Sequence, residues 1–369
     1  MQNAGETILE IDLGALEHNF KFLKNKGGKN VKFMGVVKAY GYGSDSIAIA
    51  SRLQDLGIDY LAVAYTSEGI ALRKEGIETP ILVLHPQPVN FEEIIEHCLE
   101  PAIYSLRVLN EFISTAQRLS QKHYPIHLKL NTGLNRLGFT EENIETALQT
   151  IKKAESVKVK GVFSHLAASE DWKEREFTLQ QIDNFRKLSF TIVNTLGYTP
   201  ILHLTNTSGI INYPEAAFHM VRSGIGLYGF GNDPEIDKHL KPIGTLKTII
   251  SQIIKLKEGD TVGYSREFRA EGDINIATLP LGHADGIKRQ FGNGRAGVMV
   301  NGQYAPIIGN VCMDIIMINV TGIKCEEGDE VIVFGPGNPA NEMALKAGTI
   351  SYELVTGISQ RIKRIIVNR

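Results

Sequence analysis

Cysteine is scarce in this 369-residue chain: three residues, at 98, 312 and 325. They are odd in number and widely spaced, which suggests neither a disulfide framework nor a zinc site. Neither sign of charge dominates. With 39 Lys and Arg against 41 Asp and Glu, the net charge is −2. That balance offers no basic footprint for nucleic acid or an anionic membrane surface. Long apolar runs are also missing; none approaches the roughly 20 residues of a spanning helix. The opening MQNAGETILEIDLG has no charged-then-apolar leader pattern. A cytoplasmic protein with no nucleic-acid and no membrane partner is the expectation. No GxGxxG follows an early strand, and GYGSDS at 41–46 has the wrong spacing, which counts against an open dinucleotide-binding sheet.

The composition that remains, 43% hydrophobic and 22% charged, is that of an ordinary globular enzyme, and the length implies two or three domains. Short apolar runs alternate with amphipathic stretches over the first 230 or so residues. VKFMGVV (31–37), YLAVA (60–64), PILVLH (80–85), PAIYS (101–105), IHLKLN (126–131), KGVFSH (160–165), ILHLTN (201–206) and HMVRSG (219–224) read as strands. Between them 46–57, 69–76 and 177–197 carry helical spacing, the last with Thr178 and Gln181 placed as a capping box. Eight strand–helix units predict an α/β fold, a closed (β/α)8 TIM-type barrel, over 1–234. From 235 the rhythm changes to β-branched runs broken by Gly and Asp turns, which predicts a mostly β C-terminal domain over 235–369. A single late helix is expected within it, over 342–359.

Reactive side chains fall at the ends of the predicted barrel strands. Lys38 ends the first, Lys129 the fifth with Arg136 just beyond, His165 the sixth, Asn206 the seventh and Arg222 the eighth. Any one of them has a structural explanation, but active sites of such barrels lie at that rim, and five convergent strand ends favour a site. A lysine there can lose its proton by desolvation and form a Schiff base. NTSG (206–209) and SGIG (223–226) supply hydroxyls and glycine-flanked N–H groups suited to a phosphate after the seventh and eighth strands.

These segments resemble the alanine racemases, pyridoxal 5'-phosphate enzymes of fold type III, over nearly the whole chain. VVKAYGYGS (36–44) is similar to the family's cofactor-lysine signature, which makes Lys38 the Schiff-base lysine and Tyr42 a phosphate ligand. HLKLNTGLNRLGF (127–139) matches the segment whose arginine, here Arg136, binds the substrate carboxylate. GVFSHLAASED (161–171) places His165 on the pyridine ring. HLTNTSGI (203–210) and MVRSGIGLYG (220–229) imply cofactor contacts from Asn206, Thr207, Arg222, Gly224 and Ile225. DTVGYSREF (260–268) resembles the segment with the catalytic tyrosine, Tyr264. APIIGNVCMDIIMINVT (305–321) implies a carboxylate-binding amide at Met313, followed by Asp314, and GTISYEL (348–354) a phosphate-side Tyr352.

The resemblance implies interconversion of L-alanine and D-alanine, supplying D-alanine for peptidoglycan. It also implies a homodimer with shared active sites, in which Lys38 serves one face of Cα and the partner subunit's Tyr264 the other. Arg222 beside the pyridine nitrogen can only donate a hydrogen bond. The ring nitrogen then stays unprotonated and the cofactor is a weaker electron sink, which favours racemisation over the decarboxylases built on a similar barrel. Lys129 matches a lysine carbamylated in some relatives, and a bond from the unmodified amine to Asn131 is the alternative. The chain departs from the family pattern at Tyr40, Gly41, Ser44, Asn131, Ser223 and His283. Those at Ser44 and His283 leave open a racemase of broader or serine specificity.

Overall fold

The computed structural model describes residues 5–231 and 233–368. The first four residues, read above for a leader pattern, together with Asn232 and Arg369, lie outside the described residues. The chain divides into two compact units. One comprises Leu16–Gly41 and Ser46–Lys241; the other comprises Met1–Ala15, Tyr42–Asp45 and Pro242–Arg369.

The first unit is the barrel. Its eight parallel strands are β1 (Lys32–Val36), β2 (Tyr60–Val63), β3 (Ile81–Val83), β4 (Glu100–Ile103), β5 (Tyr124–Lys129), β6 (Val157–Phe163), β7 (Ile201–His203) and β8 (Met220–Ser223). They close in sequence order, with β8 returning to β1 through pairs such as Arg222 with Met34. Each expected apolar run overlaps one of these strands, although β4, β5 and β6 begin one, two and three residues before theirs. Met34, Tyr60, Ala62, Leu82, Ala102, Phe163 and Met220 cluster as part of the core. Helices pack outside through one apolar stripe. In Leu106–Arg118 the buried set is Val108, Leu109, Phe112, Ile113 and Ala116, a helical period, and Ser105 caps it by accepting the Val108 amide.

The capping box expected at Thr178 does not form. The helix starts earlier, at Arg175, because a 3₁₀ turn capped by Asp171 (Trp172–Glu174) feeds directly into it. Thr178 and Gln181 are instead buried on its inner face, where Gln181 accepts the Ala167 amide at 2.9 Å.

The second unit is built on a nine-stranded sheet. Its order runs Gln252–Leu256, Ile274–Leu279, Ile316–Asn319, Gln303–Ile308, Gly297–Val300, Glu330–Phe334, Gly244–Ile249, Ile8–Asp12 and Lys363–Val367. The N-terminal strand Ile8–Asp12 therefore belongs with this sheet, antiparallel to Gly244–Ile249 and parallel to Lys363–Val367. A separate two-stranded ribbon, Thr261–Val262 with Phe268–Arg269, packs Val262 against Ile276, Ile308 and Met317 of the sheet and holds Tyr264 in its connection. The single late helix expected over 342–359 is two helices, Ala340–Lys346 and Ser351–Thr356, interrupted around Gly348.

Candidate active site

The barrel rim is built from strand ends. Val37 continues the β1–β2 pairing through its amide to the Ala62 carbonyl (2.9 Å), and half-buried Lys38 follows at once. From there the backbone runs left-handed through Ala39 (φ 53°), Tyr40 (φ 56°), Gly41 (φ 62°) and Tyr42 (φ 51°). Such a run costs about 1–2 kcal/mol for each residue that carries a Cβ. Glu68 anchors its start: Oε1 accepts the Ala39 amide at 2.6 Å, and Oε2 accepts those of Ala64 and Tyr65 at 2.7 and 3.1 Å. Burial lowers the affinity of the Lys38 amine for its proton, the Arg136 charge lowers it further, and the Glu68 carboxylate partly opposes both. The amine is thereby biased towards the neutral, nucleophilic form.

Arg222, on β8, is buried at the centre of the rim. Its Nη1 donates to His203 Nδ1 at 3.0 Å. Nη2 reaches the Ser164 carbonyl at 2.7 Å, the Leu204 carbonyl at 3.0 Å and His165 Nδ1 at 3.3 Å. Burial brings its pKa down to about 9, still above neutrality, so the guanidinium is charged. His165 is held well below the usual histidine range by burial and by the charges of Arg222, Lys129, Arg136 and Lys38. A neutral imidazole at this position is able to accept from Arg222.

Lys129 ends β5 with its Nζ 4.8 Å from the Phe163 ring centroid. Its pKa lies well below the ordinary lysine value, through burial first and then Arg222 and Arg136. The bond to Asn131 entertained from the sequence is absent. Asn131 is turned to its own loop, accepting the Gly133 and Asn135 amides at 3.2 and 3.0 Å and donating to Asn135 Oδ1 at 3.0 Å. Such a local Asx turn competes effectively with a longer-range partner. Arg136 stands exposed on the turn beyond.

Asn206 caps the helix Thr207–Asn212 by accepting the Gly209 amide at 2.9 Å. Thr207 Oγ1 lies 3.0 Å from Ser223 Oγ and accepts the Gly226 amide at 3.2 Å, joining the helix start to the Ser223–Gly226 turn. A Cβ on Gly226 would come within 2.4 Å of Thr207 Cγ2, so only glycine permits this closeness. Gly224 and Ile225 lie in that turn, their carbonyls accepting the Leu227 and Tyr228 amides. The two segments together form a hydroxyl- and amide-lined cradle of the kind an anion requires.

In the second unit, Tyr264 is 72% exposed and Met313 59% exposed, and both line an open, largely apolar cavity of about 600 Å³ with Val262, Cys312 and Met317. A tyrosine packed in a small β core, the structural alternative, would be buried. The Met313 loop is clamped: the His283 and Ala284 amides bond to the Cys312 and Met313 carbonyls, and Arg361 joins Asp314 (2.7 Å) to buried Asp285 (2.7 and 2.9 Å). Tyr42 is buried with its ring 6.1 Å from that of Tyr352. Burial and the neighbouring Tyr352 push the Tyr42 phenol above its usual value, which keeps it a hydrogen-bond donor.

The rim therefore brings together Lys38, Lys129, His165, Asn206, Thr207, Arg222, Gly224 and Ile225. The second unit separately groups Tyr264 with Met313 and Asp314, and Tyr42 with Tyr352. Sequence reasoning passed over Glu68, His203 and Arg361. Glu68 had a local signal, an acid three residues into a helix directly after a strand end (AYTSEG); His203 and Arg361 had none.

A closed parallel barrel with a lysine and a buried arginine on its C-terminal rim, in a chain that also carries a β-sheet unit, is an architecture that racemases share with decarboxylases, and the relatives of this chain place it among the amino-acid racemases, which are isomerases. Residues 11–232 match the alanine racemase N-terminal domain and residues 243–366 the alanine racemase C-terminal domain. The chain belongs to the alanine racemase family. It is 37% identical to alanine racemase 1 of Clostridium acetobutylicum, over 97% of this chain and 94% of that one. It superposes on the alanine racemase of Clostridium difficile 630 with a TM-score of 0.92 at 33% identity, covering 99% of this chain and 97% of that one. The alanine racemase of Bartonella henselae, solved with covalently bound pyridoxal phosphate, gives 0.90 at 27% identity, covering 98% and 99%.

Proposed function

We propose that this protein interconverts L-alanine and D-alanine with pyridoxal 5'-phosphate, as a homodimer whose sites are shared between subunits. The reading is carried by the rim, where Lys38, His165, Arg222 and the Thr207–Ser223 cradle converge. The donor set fits the cofactor: an amine biased towards neutrality, a neutral imidazole, a donor-only guanidinium, and the paired hydroxyls of Thr207 and Ser223. When bound to Lys38, pyridoxal phosphate supplies an electron sink that acidifies the substrate Cα–H.

The chain's own groups do the rest. Thr207, Gly224 and Ile225 would hold the phosphate, with Tyr42 and Tyr352 as the phenols that would donate to it, and Asn206 fixes the helix start that carries Thr207. His165 would pack on the ring and Arg222 would donate to the ring nitrogen, which would keep that nitrogen unprotonated and limit side reactions. Arg136 and the Met313 amide take the substrate carboxylate, with Asp314 and Arg361 steadying the Met313 loop. Inversion needs a base on each face of Cα. Lys38 removes or returns the proton on the D face, and the partner subunit's Tyr264 does so on the L face. Lys129 is an amine set against two guanidinium groups; reaction with carbon dioxide would convert it to an anion able to orient Arg136. The D-alanine produced serves peptidoglycan synthesis. Incubation with L-alanine and detection of D-alanine by coupled D-amino-acid oxidase tests the reading. No D-alanine formed with cofactor present would refute it.

A further inference from the structure

Arg222 is one end of a buried line of hydrogen bonds that passes through the interior of the barrel. Its Nη1 donates to His203 Nδ1 at 3.0 Å, and His203 Nε2 lies 3.4 Å from His127 Nδ1. His127 Nε2 lies 2.7 Å from Glu100 Oε2, and Lys160 Nζ closes the line on Glu100 Oε1 at 2.7 Å. Both histidines are 0% exposed and Glu100 only 5%. Tyr60 adds a long hydroxyl contact to Glu100 Oε2 at 3.4 Å.

The protons along this line have one consistent arrangement. A guanidinium has no acceptor, so His203 Nδ1 must be bare. A neutral imidazole carries one proton, so that of His203 sits on Nε2 and points at His127 Nδ1. That nitrogen must in turn accept, which puts the His127 proton on Nε2, directed at the Glu100 carboxylate. Every bond then points one way, from Arg222 towards Glu100, with Lys160 balancing the carboxylate from the far side. Protonating His127 would set two N–H groups against each other.

The barrel is adapted to this line. The β5–β6 pairing shifts register between Ile126 and His127. A Cβ on Gly161 opposite would come within 2.1 Å of His127 Nδ1, so the glycine makes room for the ring. Phe163 stacks on His203 at 4.9 Å and 9°.

We infer that Glu100 is a positioning residue: acting through His127 and His203, it fixes both histidines as Nε2–H tautomers and holds the Arg222 guanidinium in one orientation on the rim. For the reaction this rests on the proposed function above, in which Arg222 faces the cofactor ring; the tautomer pattern itself does not. Oriented bonds reinforce one another in a low-dielectric interior, so an ionised terminus strengthens the hold on a distant cation.

The test uses the holoenzyme with ¹⁵N-labelled histidine, and the ring nitrogens of His127 and His203 are read by NMR. Wild type should show two neutral imidazoles protonated on Nε2. His127 and Lys160 sit on different oxygens of Glu100, so Glu100→Gln turns an NH2 donor towards one of them and should lose this single pattern. Its kcat should fall by roughly ten- to a hundred-fold, the usual effect of deleting an outer partner, with KM little changed because Arg136 and Met313 are untouched. Lys160→Met keeps the carboxylate and should keep the pattern. An Nδ1–H tautomer or an imidazolium in wild type would overturn the inference, with no variant required. So would Glu100→Gln with unchanged kcat. If wild type makes no D-alanine, the functional reading fails and the NMR result alone decides this one.

Discussion

Glu68→Ala removes the carboxylate that accepts the amides of Ala39, Ala64 and Tyr65. Ala39 and Tyr65 are exposed, so water recovers part of what is lost there. At about 1 kcal/mol net per bond, discounted for that recovery, the substitution should cost about 2–3 kcal/mol. For a unit of this size that is a fall in Tm of about 4–12 °C. The local effect should exceed the global one. Ala39, Tyr40 and Tyr42 all hold positive φ, at about 1–2 kcal/mol each, so the left-handed turn stores about 3–6 kcal/mol. An anchor worth about 2 kcal/mol offsets about a third to two-thirds of that strain, and its loss shifts the turn's equilibrium by about 30-fold. Lys38 begins this turn, so kcat should fall more than KM rises. Glu68→Gln should be intermediate, since its one oxygen can serve Ala39 or the Ala64–Tyr65 pair but not both. Differential scanning calorimetry and steady-state kinetics on the same samples provide the check. Wild-type Tm and kcat in Glu68→Ala would show that the turn stands without its anchor.

Borohydride treatment of the protein with pyridoxal phosphate should fix the cofactor on Lys38, and peptide mass spectrometry reads the site; a label on Lys129 would refute the assignment. Lys38→Ala and Tyr264→Ala should each be severely impaired, yet co-folding them should restore roughly a quarter of wild-type sites, by the symmetry of random pairing in a twofold dimer. Proven heterodimers as inactive as their parents would place both bases in one chain. Burial alone would raise the Glu100 pKa, but hydrogen bonds from His127 and Lys160 outweigh it and hold the carboxyl below the usual range. A depressed acid contributes stability that is present above its unfolded pKa of roughly 4.3 and lost as pH falls through the folded value. Glu100→Gln should therefore flatten the acid side of a urea-unfolding stability profile, and an unchanged slope there would count against a paired, ionised Glu100.

Much of this protein was legible from local pattern. Apolar runs such as PILVLH and ILHLTN marked the barrel strands because parallel strands in a barrel are covered on both faces. The same runs placed Lys38, Lys129, Asn206 and Arg222 at strand ends, where barrels carry chemistry. Asn206 at a helix start was readable for the same reason: strand, cap and helix are contiguous in the chain.

The tertiary structure alone decided the rest. The strand Ile8–Asp12 pairs with Gly244–Ile249 and Lys363–Val367, a choice made by sheet hydrogen bonding between residues hundreds of positions apart. The left-handed turn after Lys38 depends on Glu68, 29 residues beyond Ala39. The line from Arg222 to Glu100 needs His203 and His127, 76 residues apart, to meet inside the closed barrel. Periodicity reports which face of an element is buried. Which buried polar groups satisfy one another is settled only when closure brings distant strands into register.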